Sequence, residues 1–332
     1  MKLSIVIINW NDKKVLPDCL ESIYKQTSMI DFEVIISDNG STDDSLEFVN
    51  KNYPQAIIIE NKENLGFARG NNSGIEHATG EYILILNPDT IILDHALDKF
   101  VAWADKYPEA GAFGLKVLNP DGSFQNCARP FPTVWRYWIA AIYLRFLARA
   151  STIFYSDVYV GWKGDTEREI DWQSGCCVMF RKNALEKAGV FDPRFFYHFE
   201  EVDLCFRIHK QGLKILYTPD SSITHLGGQS VGRYPIRFEL EKLRNRYRYF
   251  HKHYGISGAM QCKSATIAYF RIRQIGYGCL SLFKKSEPLK NRLEMYCVVL
   301  KWNKGLDIEK FIESGKEPDV GFEPLGTKPK AL

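Results

Sequence analysis

The chain has 332 residues, 45% hydrophobic and 25% charged, with 24 Gly and 14 Pro. This composition excludes collagen-like, low-complexity and broadly disordered classes, and the length suits about two domains or one domain with a large extension. The formal net charge of +3 is unevenly laid out: residues 1–128 carry 10 basic and 19 acidic side chains, and residues 233–304 carry 16 and 4. A basic C-terminal block either meets an anionic partner, such as a phosphorylated lipid or a membrane surface, or forms a solvated helical face. No nucleic-acid-binding motif accompanies it, so no nucleic-acid partner is expected.

The chain opens with an apolar run, LSIVII at 3–8, that reads as a buried strand; Val15, Leu16, Leu20 and Ile23 then fall at helical spacing. EVIIS at 33–37, AIIIE at 56–60 and EYILIL at 81–86 are the next strands, with a helix over 66–77 between the last two. Alternation of this kind predicts a mostly parallel sheet covered by helices. Residues 134–149 form an aromatic, arginine-bearing helical pattern, 170–182 read as one strand, and 200–211 as a helix. Residues 233–253 and 263–304 are helix-forming, basic and aromatic, while 314–330 lack periodicity and read as a loose tail. No run reaches ~18 uninterrupted apolar residues, because arginines interrupt both candidates. The N-terminus lacks the pattern of a signal peptide. Eight cysteines without a C-x-x-C pair indicate neither a zinc site nor a disulfide framework, and fit a reducing cytoplasm.

In sheets of this class ligands bind at the carboxyl ends of the strands. Three polar clusters sit there: Asn9-Trp10-Asn11, Asp38-Asn39 and Asn87-Pro88-Asp89. Asp89 is placed to hold a divalent cation against a diphosphate, because Mg²⁺ and Mn²⁺ prefer oxygen ligands; the alternative is a simple turn. Asp38 is suited to accept from a nucleobase or ribose, or to close an Asx turn. Residues 64–74 (NLGFARGNNSG) supply small residues for close approach of backbone to a ring, and Arg69 for phosphate. They match neither the dinucleotide-binding nor the P-loop fingerprint. Glu200-Glu201-Val202-Asp203 is either an acid–base element or a solvated helix start. Trp172 and Gln173 are candidates for sugar contact, with core packing as the alternative.

Taken in order, SIVIINWN, VIISDNGSTD, NLGFARGNNSG, LILNPDT, WQSGCCVMFRK, FFYHFEEVDLCFR and THLGGQS resemble the family 2 glycosyltransferases of GT-A fold, in particular the rhamnosyltransferase-like subgroup of surface polysaccharide assembly. The resemblance covers about residues 3–255. It implies an α/β, Rossmann-like mixed sheet at 1–255; composition beyond that range gives a basic aromatic helical extension at 256–313 and a flexible tail at 314–332. It assigns donor binding to Asn9, Asn11, Asp38, Asn64, Gly66, Arg69, Asn72, Asn87 and Asp89, and Mg²⁺ or Mn²⁺ to Asp89 and His225. Asparagine at 87 replaces the first aspartate of the usual DxD, which leaves Asp89 as the anionic ligand. It makes Glu201 the base; by helical spacing Glu200 and Asp203, three apart, share a face suited to position Arg207 or the acceptor.

The implied activity is inverting transfer of one sugar from a dTDP- or UDP-linked donor, L-rhamnose first among candidates, to a glycan or lipid-linked acceptor. A UDP-sugar (Gal, Glc or GlcNAc) transferase and a non-catalytic nucleotide-sugar binder are the alternatives. The implied location is cytoplasmic, with peripheral attachment to the inner face of the cell membrane and oligomerisation both left open.

Overall fold

The computed structural model describes residues 1–144, 147, 158–227, 235–284 and 286–321. The chain divides into two compact units: Met1–Phe131 with Trp162–Gln229, and Pro132–Gly161 with Ser230–Leu332. The helix starting at Pro235 therefore falls in the second unit, and the first unit ends at Gln229, within the last of the sequence motifs, THLGGQS at 224–230.

In the first unit β1 (Leu3–Asn9), β2 (Phe32–Asp38), β3 (Ile57–Glu60) and β4 (Tyr82–Leu86) lie parallel in the order β3-β2-β1-β4. Six of the seven residues of β1 are buried, as expected of an interior strand covered on both faces. Helices α1 (Leu16–Gln26), α2 (Ser45–Asn52) and α3 (Gly66–Ile75) are the crossovers. Leu16, Cys19, Leu20 and Ile23 form the buried stripe of α1.

The sheet continues from β4 through β11 (Cys177–Arg181), β6 (Ala110–Leu118), β12 (Lys214–His225) and β5 (Thr90–Ile92), with antiparallel pairs β4–β11, β11–β6 and β12–β5. Short β7 (Phe124–Gln125) and β9 (Arg168–Glu169) add to β6 and β12. Helices α4 (Ala96–Ala104), α6 (Lys182–Ala188) and α7 (Glu200–Lys210) complete the unit.

The segment 170–182 is not one strand. Trp172–Gln173 forms β10, paired with β8 (Ala128–Arg129) in a separate two-stranded sheet. Ser174 then donates its amide to Cys127 O (2.9 Å) and accepts from Cys177 N (3.3 Å), which turns the chain before β11.

The register sets the rim of the sheet. Asn9 pairs with Asp38, and Ile7 pairs with Leu86, so the residues after β4 stand beside the ends of β1 and β2.

In the second unit, α5 (Val134–Ala141) packs on α8 (Pro235–Phe283), which bends at Gly255 where φ is +67°. The remainder of the predicted 134–149 helix lies largely outside the described residues. Helix α9 (Glu287–Gly305) packs on α8 through the ring pairs Phe270–Tyr296 and Tyr247–Trp302, and α10 (Ile308–Ser314) follows. Glu317, within the segment read as a loose tail, accepts from Arg244 Nε (2.8 Å) and Trp302 Nε1 (2.7 Å). Those bonds tie the start of that segment to α8 and α9.

Candidate active site

The loops after β1, β2 and β3 are stitched together by asparagines. Asn9 is fully buried and donates to Asp38 Oδ1 (2.7 Å) and Ser45 Oγ (2.8 Å). Asp38, also buried, accepts from the amides of Gly40 and Ser41 (both 3.0 Å) and so fixes the turn that follows it. Asn11 adopts φ +58°, a region Asn tolerates better than most residues; its Oδ1 accepts from Thr42 N (2.7 Å). Asn64 Oδ1 accepts from Gly66 N (2.9 Å). Asn39, not assigned a role from the sequence, donates to Gly66 O (3.1 Å).

At the neighbouring strand end, Asp89 Oδ1 lies 3.3 Å from His225 Nε2, and Asp89 Oδ2 accepts from Gly227 N (3.1 Å). Asn87 Nδ2 is 3.4 Å from the same imidazole nitrogen. Antiparallel pairing of His225 with Thr90 brings the two distant segments together. Burial pulls the His225 pKa down, but the hydrogen bond and charge of Asp89 outweigh it and raise the group above its ordinary value. Gln125 Oε1 stands 2.7 Å from His225 Nδ1, which directs Nε2 toward Asp89. Nothing in the sequence pattern marked Gln125; it reaches the imidazole because β7 pairs with β6, and β6 with β12. One carboxylate and one imidazole fit a Mg²⁺ or Mn²⁺ ion that takes its remaining ligands from phosphate and water. Among the described residues no cluster of three or more His, Cys, Asp or Glu side chains exists to hold a metal without such help.

Glu200 and Glu201 begin α7, and both are buried. The helix is entered through His198 (φ +69°) and Phe199 (φ +78°), two non-glycine residues in the left-handed region, a costly arrangement that clusters at functional sites. Burial pushes Glu201 up to about 7, against backbone hydrogen bonds that include the Gly175 amide. Among the described residues its Oε2 is buried without a hydrogen-bond partner. Tyr197 is pushed up by burial and then by the charges of Glu200, Glu201 and Asp89. One ring thus feels both the glutamates of α7 and the aspartate at the end of β4. Asp203 is fully buried and pairs with Arg207 (2.9 Å), whose guanidinium also binds the backbone carbonyls of Ala188, Gly189 and Val190. Gln173 is fully buried and donates to Leu115 O (3.1 Å), whereas Trp172 is partly exposed with its Nε1 on Pro130 O (3.0 Å).

A sequence model described as "Glycosyl transferase family 2" matches residues 4–189. N-acetylglucosaminyl-diphospho-decaprenol L-rhamnosyltransferase of Mycobacterium tuberculosis (strain ATCC 25618 / H37Rv) is 30% identical over 214 residues, covering 61% of this chain and 69% of that protein. The chain belongs to glycosyltransferase family 2. O-antigen biosynthesis protein RfbC of Myxococcus xanthus is 28% identical over 239 residues, 68% of this chain and 17% of the other. Among solved structures, mannosyltransferase PcManGT from Pyrobaculum calidifontis, in complex with GDP-Man and Mn²⁺, superposes with TM-score 0.54 at 17% identity, over 91% of this chain and 88% of that one. The likeness bears on the fold, which is GT-A with a helical C-terminal region.

Within this glycosyltransferase the 64–74 motif makes contacts that the sequence did not foretell. Gly66 has φ +77°, and a Cβ there would meet Phe196 O at 2.5 Å. Phe67 N donates to Phe196 O (2.7 Å), and the Asn72 amide makes two bonds to the Phe191 backbone (2.8 and 3.0 Å). Arg69 is exposed on α3. Helix α3 therefore grips the segment that leads into Glu200 and Glu201. Asn72→Ala removes two bonds, a loss on the order of 1–3 kcal/mol. The expected result is turnover lowered about tenfold with nucleoside diphosphate affinity within about twofold of the parent, a split characteristic of misplaced chemistry. Steady-state rates beside calorimetric titration check it; an affinity loss as large as the rate loss would instead assign Asn72 to the donor pocket.

Proposed function

We propose that this glycosyltransferase is an inverting, single-addition enzyme that uses a dTDP-linked donor, with L-rhamnose the first candidate sugar, and a glycan or lipid-linked acceptor in surface polysaccharide assembly. The observations that carry this reading are the strand-end pair of Asp89 Oδ1 and His225 Nε2, 3.3 Å apart, and the buried Glu201 at the start of α7. The named activity of the mycobacterial relative supports rhamnose and a lipid diphosphate as the chemical classes to test first.

Asp38, held by Asn9, receives the nucleoside, with Asn11, Asn64 and Gly66 shaping the loops around it. Asp89 and His225 hold the divalent cation, with Asn87 beside them, and Arg69 reaches toward phosphate. When bound, the cation supplies positive charge against the developing charge on the nucleoside diphosphate. Glu201 accepts the proton of the acceptor hydroxyl as its oxygen attacks the anomeric carbon. The bond from that carbon to the diphosphate oxygen breaks in the same displacement, and configuration inverts. Trp172 lines the sugar side; Glu200 and Asp203 support α7, and Gln173 supports the sheet beneath.

A thermal-shift screen of dTDP-rhamnose and UDP-hexoses with Mn²⁺ tests the donor. Stabilisation by dTDP-rhamnose and formation of an inverted glycoside are expected. Stabilisation by UDP-sugars alone would select the alternative donor class, and binding without any transfer would select the non-catalytic one.

A further inference from the structure

Helix α9 turns Leu289, Tyr296, Val299 and Leu300 inward, and α8 does the same with Ala265, Thr266 and Phe270. The last three turns of α8 do the opposite. Ile272, Ile275, Cys279 and Leu282 recur at helical spacing on one stripe, and Phe283 adjoins it; all are exposed, Ile275 at 61%, Leu282 at 78% and Phe283 at 88%. An apolar stripe of this kind left in water marks an interaction surface.

Its setting identifies the partner. Exposed Arg271 and Lys284 lie beside the stripe along the chain and exposed Lys290 and Arg292 on the first turns of α9, and only Glu287 and Glu294 offset nine Lys and Arg between 263 and 304. A second copy of the same face would set these cations against one another, whereas an anionic lipid surface complements them at roughly 1 kcal/mol per basic residue. From Ile272 to Phe283 a helix rises only about 16 Å, about half of the ~30 Å hydrocarbon core. Among the described residues no helix is long and apolar enough to cross a membrane. A short apolar edge framed by cations lies in the interface plane.

We infer that the end of α8 and its junction with α9 form a docking surface for an anionic bilayer, with Ile275, Leu282 and Phe283 entering the acyl boundary and Lys284 and Lys290 on the headgroups. The inference is independent of the donor and acceptor reading, because binding to vesicles requires neither.

The test is flotation of the full chain with phosphatidylcholine vesicles, with and without phosphatidylglycerol. Flotation with the anionic vesicles, weakened by salt and at least about tenfold lower with phosphatidylcholine alone, is expected. The double variant Leu282→Glu/Phe283→Glu is expected to lose flotation by a similar factor without change in its unfolding temperature. Because that variant could fail on folding grounds, Phe283→Trp provides a second readout: its emission moves to the blue with anionic vesicles and is quenched by brominated lipid. Parent protein that stays with the buffer overturns the inference, as does flotation unchanged by the double variant. So does a parent dimer in solution that the double variant converts to monomer, which would assign the stripe to self-association.

Discussion

Glu201→Gln is expected to lower turnover by about 10²- to 10⁴-fold, the range a positioned general base contributes, while leaving nucleoside diphosphate affinity unchanged. The substitution keeps shape and hydrogen-bonding reach, and removes only the ability to take a proton. Burial favours the uncharged carboxyl, so Glu201 titrates at about 7 instead of the ordinary carboxylate range. A base acts in its ionised form, so kcat/KM of the parent should climb as pH rises through 7 and level off above about 8. In Glu201→Gln the residual rate should lose that limb. Glu200→Gln is the control, expected to alter the rate less because the role assigned to Glu200 is support. Quenched-flow and steady-state measurements between pH 5 and 9 read all three proteins; full activity in Glu201→Gln would remove the residue from the base role, and an unchanged pH limb would assign it to another group.

The front of the sheet was legible in the sequence because each of β1, β2 and β4 is a continuous apolar run closed by polar residues. Four strands, the helix at 66–75 and the helix at 200–210 fall within a residue or two of where periodicity puts them. Of the later strands only β10 and β11 lie inside a predicted one, the run 170–182, and β6 shows why the others were not legible. Its sequence, AGAFGLKVL, carries two glycines, which weaken a strand signal. They are there because side chains pack against the backbone: a Cβ at Gly111 would meet Ile208 at 2.8 Å, and one at Gly114 would meet Gln173 at 2.7 Å. Such a requirement comes from residues sixty to a hundred positions away, so no local window contains it. The same holds for Gln125, whose meeting with His225 spans 100 residues. Asn72 illustrates a different limit. Its motif was recognisable, yet only coordinates join its side chain to the Phe191 backbone, 119 positions away.

Asp89→Asn is expected to weaken donor binding in the presence of Mn²⁺ by about a hundredfold, equivalent to roughly 3 kcal/mol, with little loss of stability. An asparagine oxygen can still accept the Gly227 amide that Asp89 Oδ2 accepts in the parent, so the loop from His225 to Gly227 keeps its anchor. What disappears is charge. With Asn87 in place of a second acid, Asp89 supplies the only carboxylate of the strand-end motif, and no neighbouring residue of that motif substitutes for it. Burial lowers the His225 pKa and Asp89 raises it, so the variant should also show a lower His225 pKa than the parent. Titration of donor with and without Mn²⁺ reads the affinity, and an imidazole NMR titration of His225 reads the second effect without any catalysis. Chelator treatment of the parent should bring its donor affinity down to that of the variant. If the chelated parent binds and transfers as before, or if Asp89→Asn responds to Mn²⁺ as the parent does, the cation does not reside at Asp89 and His225.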